Sequence, residues 1–319
     1  MSTNPVITAI VCTHNRADFL RKCVRSLLKQ TLPRDRYEIL VVDNGSSDDT
    51  ASVIREFTNG PGVRSVFEPV PGLSKARNTG WREARGEILG YIDDDATAEE
   101  RWLEDALWCF ENVKPEPKWV GGPIHLDWEM NAPAWINEEL SVPLGKVYWG
   151  DKACWLTPQQ RLGGGNSFYK KKLLEEIGGF NENLGRKPGG LLSGEEAELQ
   201  QRFRAMGRNL YYHPGIGIWH FVSVERCRPE WFYMRYYWGG ISDSVMFRSL
   251  KKQNVPVAFQ GNTVDESKAA ESRIKRILRN TWCSLGIMVP ETATVRARIY
   301  MSYIFGRIAG ITGGRCIVR

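Results

Sequence analysis

The sequence has no run of about 18 consecutive apolar residues, the length a helix needs to span a bilayer, so no membrane-crossing helix is expected. A secretory leader is not expected either, because residues 1–5 are polar and the apolar run 6–12 is too short for a signal core. Cysteine spacing excludes more. The seven cysteines, at positions 12, 23, 109, 154, 227, 283 and 316, are odd in number, widely spaced and without a Cys-x-x-Cys pair. That pattern argues against zinc and for free thiols in a reducing cytoplasm. Internal repeats, low-complexity segments and nucleic-acid-binding motifs are absent too, so nucleic acid is not an expected partner.

What is present suits an ordinary globular protein. The 319 residues are 42% hydrophobic and 25% charged, enough for one large domain or two smaller ones. The net charge of +6 is unevenly placed. Residues 251–319 hold 12 Lys or Arg against 4 Asp or Glu, while the first 250 residues carry a net −2. A basic C-terminal region points to an anionic surface, and a membrane is the better candidate.

Hydrophobic periodicity gives a regular first half. Strands are expected at 6–12, 37–42, 63–67 and 88–92, with helices at 15–30, 50–57, 73–84 and 98–113 between and after them. Alternation of this kind implies a mostly parallel sheet whose ligands bind beyond the C-terminal strand ends. After position 113 the pattern fades. Residues 119–124 read as one more strand, and 126–157 as an irregular segment rich in Trp and Pro. Trp102, Trp108, Trp128, Trp135, Trp149 and Trp155 in and around it either stack on sugars or pack as core and lid. A short helix is expected at 170–177, ending at Gly178-Gly179, and a longer one at 195–206, ending at Gly207.

The chemistry concentrates at Asp93-Asp94-Asp95, directly after the strand at 88–92. Three adjacent carboxylates repel one another and call for a cation. Hard oxygen ligands suit Mg²⁺ or Mn²⁺, and an ion held by one or two carboxylates commonly also holds phosphate oxygens. Gly163-Gly164-Gly165-Asn166 adds a segment where backbone can approach a ligand closely.

Five motifs in this order resemble glycosyltransferase family 2: Val11-Cys12-Thr13-His14-Asn15-Arg16; Val41-Val42-Asp43-Asn44-Gly45-Ser46-Ser47-Asp48; Gly72-Leu73-Ser74-Lys75-Ala76-Arg77-Asn78-Thr79-Gly80; Asp93-Asp94-Asp95; and Gly194-Glu195-Glu196-Ala197-Glu198-Leu199. Gly163 to Asn166 and Ile177-Gly178-Gly179-Phe180-Asn181-Glu182 resemble the same family, and the likeness covers about residues 5–240.

The resemblance implies an α/β GT-A fold: a Rossmann-like, mixed but mostly parallel sheet flanked by helices. It implies a catalytic domain over 1–250, divided near 126 into nucleotide-binding and acceptor-binding halves, followed by a basic helical extension at 251–319. It further implies that Thr13, Asn15 and Arg16 line the nucleotide pocket, that Asp43 bonds uracil, and that Lys75, Arg77 and Asn78 approach the base, ribose or diphosphate. Asp93 would contact ribose, with Asp94 in support, and Asp95 and His220 would hold Mn²⁺ or Mg²⁺. Gly164, Gly165 and Asn166 would face the donor sugar or acceptor. The general base would be Glu196, with Glu195 as the possible substitute, because the chain has Glu-Glu where the common family form has Glu-Asp.

The activity expected is inverting transfer of a hexose, glucose first, from a uridine-diphosphate sugar to a glycan or lipid-linked glycan in envelope or extracellular polysaccharide synthesis. Two rivals are a haloacid-dehalogenase-type phosphatase, since Asp93-x-Asp95-x-Thr97 fits an aspartyl nucleophile, and a non-catalytic glycan-binding protein on the same fold. The stripe Ile274, Ile277, Leu278, Thr281, Trp282, Leu285 with Arg273, Lys275, Arg276 and Arg279 elsewhere reads as a basic amphipathic helix. Such a helix lies on a membrane or packs on protein, which makes the inner face of the plasma membrane an expected location.

Overall fold

A computed structural model describes residues 4–256 and 291–312. Its core is an eight-stranded sheet in the order β3-β2-β1-β4-β9-β6-β10-β8. The strands are β1 (Ile7–Thr13), β2 (Tyr37–Asp43), β3 (Val63–Phe67), β4 (Ile88–Asp93), β5 (Ala96–Ala98), β6 (Trp119–Gly121), β7 (Ile124–Trp128), β8 (Cys154–Trp155), β9 (Asn166–Lys170), β10 (Tyr211–Tyr212) and β11 (Ile218–Val222). β5, β11 and β7 form a separate three-stranded sheet. The helices are α1 (Ala17–Leu27), α2 (Thr50–Thr58), α3 (Leu73–Glu83), α4 (Trp102–Asn112), α5 (Glu138–Ser141), α6 (Lys171–Ile177), α7 (Glu195–Ala205), α8 (Pro229–Lys252) and α9 (Glu291–Thr312).

Alternation along the strands builds the layers. Ile7, Ala9 and Val11 of β1 and Tyr37, Ile39 and Val41 of β2 join one core with Leu20 and Val24 of α1, Val53 of α2 and Trp102 of α4. Ile10, Leu40 and Val42 point the other way, into a core with Ala76 of α3, Leu174 of α6 and Leu199 and Phe203 of α7. With both faces covered, the middle of the inner strands, Ala9 to Cys12 and Ile39 to Val42, is a continuous apolar run rather than an alternating one. β1 pairs in parallel with both β2 and β4, so Thr13, Asp43 and Asp93 end at one edge.

The expected mixed sheet with flanking helices is present, and two local expectations are corrected. Residues 119–124 are not one strand: Trp119–Gly121 pairs with β9 and β10 in the large sheet, whereas Ile124–Trp128 pairs with β11 in the small one. Gly122 and Pro123 make the break. A side chain at Gly122 would press on the carbonyls of His213 and Ile216, and Pro123 has no N–H for a ladder. Helix α4 begins at Trp102 rather than near 98, because Ala96–Ala98 is used as β5, antiparallel to Ile218–His220.

β9 lies antiparallel between β4 and β6. It fits because Gly90 of β4 leaves room for the Phe168 ring, which a side chain there would overlap. α9 packs along α8 through small residues, with backbone at Gly240 and Gly306 in close approach. Among the described residues no helix is long and apolar enough to cross a membrane. Cys12, Cys23, Cys109, Cys154 and Cys227 are free thiols. The amphipathic stripe expected at 274–285, Cys283 and Cys316 lie outside the described residues.

Candidate active site

A cleft of about 890 Å³ opens beyond the C-terminal ends of β1 and β4. Its floor is the aspartate run. Thr13 donates its hydroxyl to Asp94 Oδ2 at 2.8 Å, and Arg16 Nη1 reaches both Asp94 Oδ1 at 2.9 Å and Asp95 Oδ2 at 2.8 Å. Arg16 is delivered by the loop just before α1, where Thr50 Oγ1 accepts its backbone N–H and Asp48 accepts that of Ala17. One guanidinium therefore answers two of the three repelling carboxylates.

Burial separates the two carboxylates further. Burial pushes Asp94 up to about 6, helped by the neighbouring charge of Asp95 and opposed by Arg16. Burial acts on Asp95 in the same direction but loses there. Its bond to His220, then the charges of Arg16 and Arg226, hold Asp95 well below the usual carboxylate range. His220 Nε2 stands 3.3 Å from Asp95 Oδ1, and Arg226 Nη2 stands 3.2 Å from Oδ2.

The same groups suit a divalent cation. One ligand atom each from Asp93, Asp95 and His220 lies within 4.8 Å of the others, the one such group among the described residues. Two carboxylates and an imidazole are oxygen and nitrogen donors that suit a divalent cation rather than a soft, thiolate-seeking one. His220 arrives on β11, whose ladder with β5 carries it directly over the aspartate turn, and Phe221 N donates to Asp95 O at 2.9 Å.

Arg77 joins this floor to the second acidic group. Buried on α3, it donates Nη1 to Glu195 Oε1 at 2.6 Å and Nη2 to Asp93 Oδ1 at 3.3 Å, while Tyr91 OH holds its carbonyl at 2.8 Å. Glu195 opens α7 after Gly194, which takes a left-handed φ of 91°. Burial and the adjacent Glu196 raise Glu195 to about 7 despite Arg77, and its Oε2 is buried without a hydrogen-bond partner. Glu196 also lines the cleft and is more open to it.

The glycine run explains itself at this junction. A Cβ on Gly164 would sit 3.1 Å from the Glu196 side chain and 3.2 Å from Arg77 Nη1; one on Gly165 would sit 2.9 Å from Asp93 Oδ1 and closer still to Oδ2. Backbone replaces side chain where two acidic groups and a guanidinium converge.

Of the residues singled out in the sequence, Thr13, Arg16, Arg77, Asp93, Asp94, Asp95, Gly164, Gly165, Glu195, Glu196 and His220 line this cleft. Asn15, Asp43, Lys75, Asn78 and Asn166 do not. Asn15 Oδ1 accepts from Ser47 N and Asp43 Oδ1 from Ser46 N, so both shape the loop after β2. Asn78 spends its amide on Phe180 and Glu182. Asn166 is fully buried and bonds Trp102 Nε1, Pro123 O and Ile216 O, tying α4 to the β6–β7 break.

The tryptophans divide similarly: Trp102 and Trp119 are core, and among the described residues Trp231 of α8 is the one that reaches the cleft. Asn44, inside the second motif, lines it too, as do Arg161 and Arg186, which no motif contains. Arg186 is placed by a contact distant along the chain, its carbonyl accepting from Leu73 N, which no local pattern marks.

Comparison with known proteins accords with this geometry. Residues 8–113 match the family model for glycosyl transferase family 2. The chain is 27% identical over 246 residues to the glucosyl-dolichyl phosphate glucuronosyltransferase of Haloferax volcanii, covering 75% of this chain and 77% of that protein. Glycosyltransferase AglE of the same organism is 26% identical over 225 residues, covering 68% and 67%.

Among solved structures, the mannosyltransferase PcManGT from Pyrobaculum calidifontis, in complex with GDP-Man and Mn²⁺, superposes with a TM-score of 0.64 at 20% identity, covering 98% of this chain and 89% of that one. S. aureus TarS 1–349 with UDP gives 0.51 at 17% identity, covering 98% and 93%. Residues 8–113 carry a family 2 glycosyltransferase domain, and with these likenesses the chain is a glycosyltransferase of that type on the GT-A fold rather than a phosphatase.

Proposed function

We propose that this enzyme transfers a hexose, with inversion, from a uridine-diphosphate sugar to a lipid-linked glycan acceptor in polysaccharide synthesis, with Mn²⁺ or Mg²⁺ held by Asp93, Asp95 and His220. The observation that carries the reading is the pairing, across one cleft, of a cation-type ligand cluster with a carboxylate pair at the start of α7, bridged by Arg77. Support for a nucleotide-sugar donor comes from PcManGT and TarS, which bind GDP-Man and UDP. Support for a lipid-linked acceptor comes from the Haloferax relative, whose name places its acceptor sugar on dolichyl phosphate. UDP-glucose is the first donor to try.

The residues divide the reaction. Arg16 and Arg226 hold Asp95 ionised and add positive charge where a diphosphate would lie. Asp93 faces the ribose side. Asp93, Asp95 and His220 would hold a divalent ion, whose charge would offset that of the departing nucleoside diphosphate. Glu196 takes the proton from the acceptor hydroxyl as that oxygen bonds to the anomeric carbon and the carbon–diphosphate bond breaks on the opposite face. Glu195 is the less suitable base because its Oε1 is tied to Arg77 and the residue is buried. The exposed Phe305, Ile308 and Ile311 of α9, together with the basic C-terminal sequence, support a peripheral membrane contact at the cytoplasmic face.

Two variants test the assignment. Asp95→Ala is expected to abolish metal-dependent donor binding, and Glu196→Gln to keep binding and stop transfer. A thermal-shift screen of nucleotide sugars with Mn²⁺ identifies the donor. The proposal is abandoned if the purified protein neither binds nor hydrolyses any nucleotide sugar with Mn²⁺ or Mg²⁺ present.

A further inference from the structure

The cations of the cleft fall into two sets. Arg16, Arg77 and Arg226 are paired with the aspartate run or with Glu195. Arg186 and Arg235 are not. Arg186 Nη1 and Arg235 Nε are buried with no hydrogen-bond partner, and Arg235 donates from Nη1 to the neutral Ser193 hydroxyl at 2.9 Å. Burial lowers both guanidinium groups, Arg186 to about 10, and each also feels a like charge: Arg235 acts on Arg186, and Arg161 on Arg235.

Little negative charge is left to answer them. Glu195 is engaged by Arg77, and Asp243 accepts from Tyr303 OH at 2.6 Å while burial raises it towards neutrality. Glu196, with no salt bridge of its own among the described residues, is the carboxylate left to act on Arg186 and Arg235. Buried cations without partners are costly, and a site that keeps them in surplus is matched to an anion it does not itself contain.

The pair is also built rather than incidental. Arg186 is fixed by its carbonyl, which accepts from Leu73 N at 2.9 Å at the start of α3. The preceding Gly185, at φ 88°, approaches Ser74 so closely that a side chain would collide with its hydroxyl. Arg235 projects from α8 beside Ser193, two residues before Glu195. The carboxylates that act most strongly on Arg235 are Glu196, then Glu195 and Asp243, so it belongs to the half of the cleft where the base stands.

We infer that Arg186 and Arg235, with Arg161, form an oxyanion subsite that receives a phosphate or carboxylate carried by the acceptor, beside the hydroxyl that Glu196 deprotonates. The inference rests on the reading of Glu196 as base, and it names the acceptor class: an anionic sugar or a sugar phosphate rather than a neutral glycan. Two guanidinium groups converging on one site suit such a group better than point charges would, because each offers a planar fork of donors.

The test uses protein saturated with UDP and Mn²⁺, so that the diphosphate site is filled, titrated with glucose 1-phosphate, glucuronate and methyl α-glucoside in a calorimeter. At least one charged probe is expected to bind tenfold or more tighter than the neutral glucoside. Arg186→Met and Arg235→Met should erase that advantage while UDP affinity stays within twofold, and Arg235→Lys should restore part of it. Thermal melts of each variant establish that it is folded.

Equal affinity for charged and neutral probes overturns the inference, and so does a loss of UDP affinity parallel to the loss of probe affinity. Loss of affinity for UDP-glucuronate but not UDP-glucose in the variants assigns the pair to the donor sugar and also overturns it. Failure of the wild type to bind UDP counts against the nucleotide reading alone. Inorganic phosphate titrated into the nucleotide-free protein then decides the subsite: binding lost in Arg235→Met supports it, and no binding refutes it.

Discussion

The glycine pair at 164 and 165 offers a way to injure the two halves of the site separately with a single methyl group. In Gly165→Ala the new Cβ would lie 2.9 Å from Asp93 Oδ1 and nearer to the rest of the carboxylate. Ordinary contact distances require the carboxylate to retreat by about 1 Å. Asp93 sits at the cleft surface with its side chain 37% exposed, so it can rotate away without dragging the core. The cost to stability should therefore be small, about 1 kcal/mol at the low end for overpacking.

The cost to function is different. Asp93 would leave both Arg77 Nη2 and the ligand group it forms with Asp95 and His220. Disturbing a metal site at this level typically weakens affinity by roughly 10- to 100-fold. Gly164→Ala instead presses on Glu196 and Arg77, so it should leave Mn²⁺ affinity near wild type and lower kcat. Mn²⁺-dependent quenching of tryptophan fluorescence, together with steady-state transfer at saturating Mn²⁺, separates the two. Gly165→Ala with unchanged Mn²⁺ affinity, or two variants with the same profile, would refute the division of the cleft into a leaving-group half and a base half.

Two predictions concern stability. Glu195 is raised from 4.5 to about 7 in the folded chain, so its protonated form favours folding below about pH 4.5 and that contribution is lost as pH rises through 7. Glu195→Gln should gain on the wild type by roughly 3 kcal/mol between those limits; urea unfolding at pH 5 and 8 reads this directly, and a pH-independent difference sinks it. Trp102→Phe should cost about 1–3 kcal/mol, because Asn166 Oδ1 would lose its partner at a fully buried position. A shift in the urea midpoint measures it, and an unchanged midpoint would mean that another donor reaches the amide.

The parts of this fold legible in the sequence are those fixed by local pattern. Strands β1 to β4 and their helices follow from apolar periodicity, and α6 ends at Gly178, as its left-handed φ of 79° allows. The strand-end loops were legible for the same reason, since a parallel sheet sends them all to one edge. The second half obeys pairings between distant residues. Tyr211–Tyr212 is a strand of two residues that exists because Val120–Gly121 and Cys154–Trp155 flank it, which no window of sequence can reveal.

Site residues divide along the same line. Asp95 and His220 meet because β11 crosses over the aspartate turn. Asn78 and Asn166 carry the polarity of ligand-binding residues but use it to satisfy buried backbone, and a motif alone does not separate those uses.

Arg77 is where the two halves are coupled, and its chemistry decides how. Its side chain is 4% exposed and divides two nitrogens between Glu195 and Asp93, with the guanidinium carbon 5.5 Å from the centre of the Phe180 ring. A lysine would keep the charge but could not hold both carboxylates in one plane, since an ammonium is a point donor on a flexible stem. If Arg77 served only as a counter-ion, Arg77→Lys would be nearly silent.

If it is the strut that spaces base from leaving group, the same substitution should lower kcat by about 100-fold, the loss expected for a displacement near 1 Å at a reacting geometry. It should also weaken Mn²⁺ binding through Asp93. A parallel fall in both quantities, with a melting temperature near that of the wild type, is the expected result. Wild-type kcat in Arg77→Lys would mean that the Glu195–Glu196 pair is positioned by α7 alone.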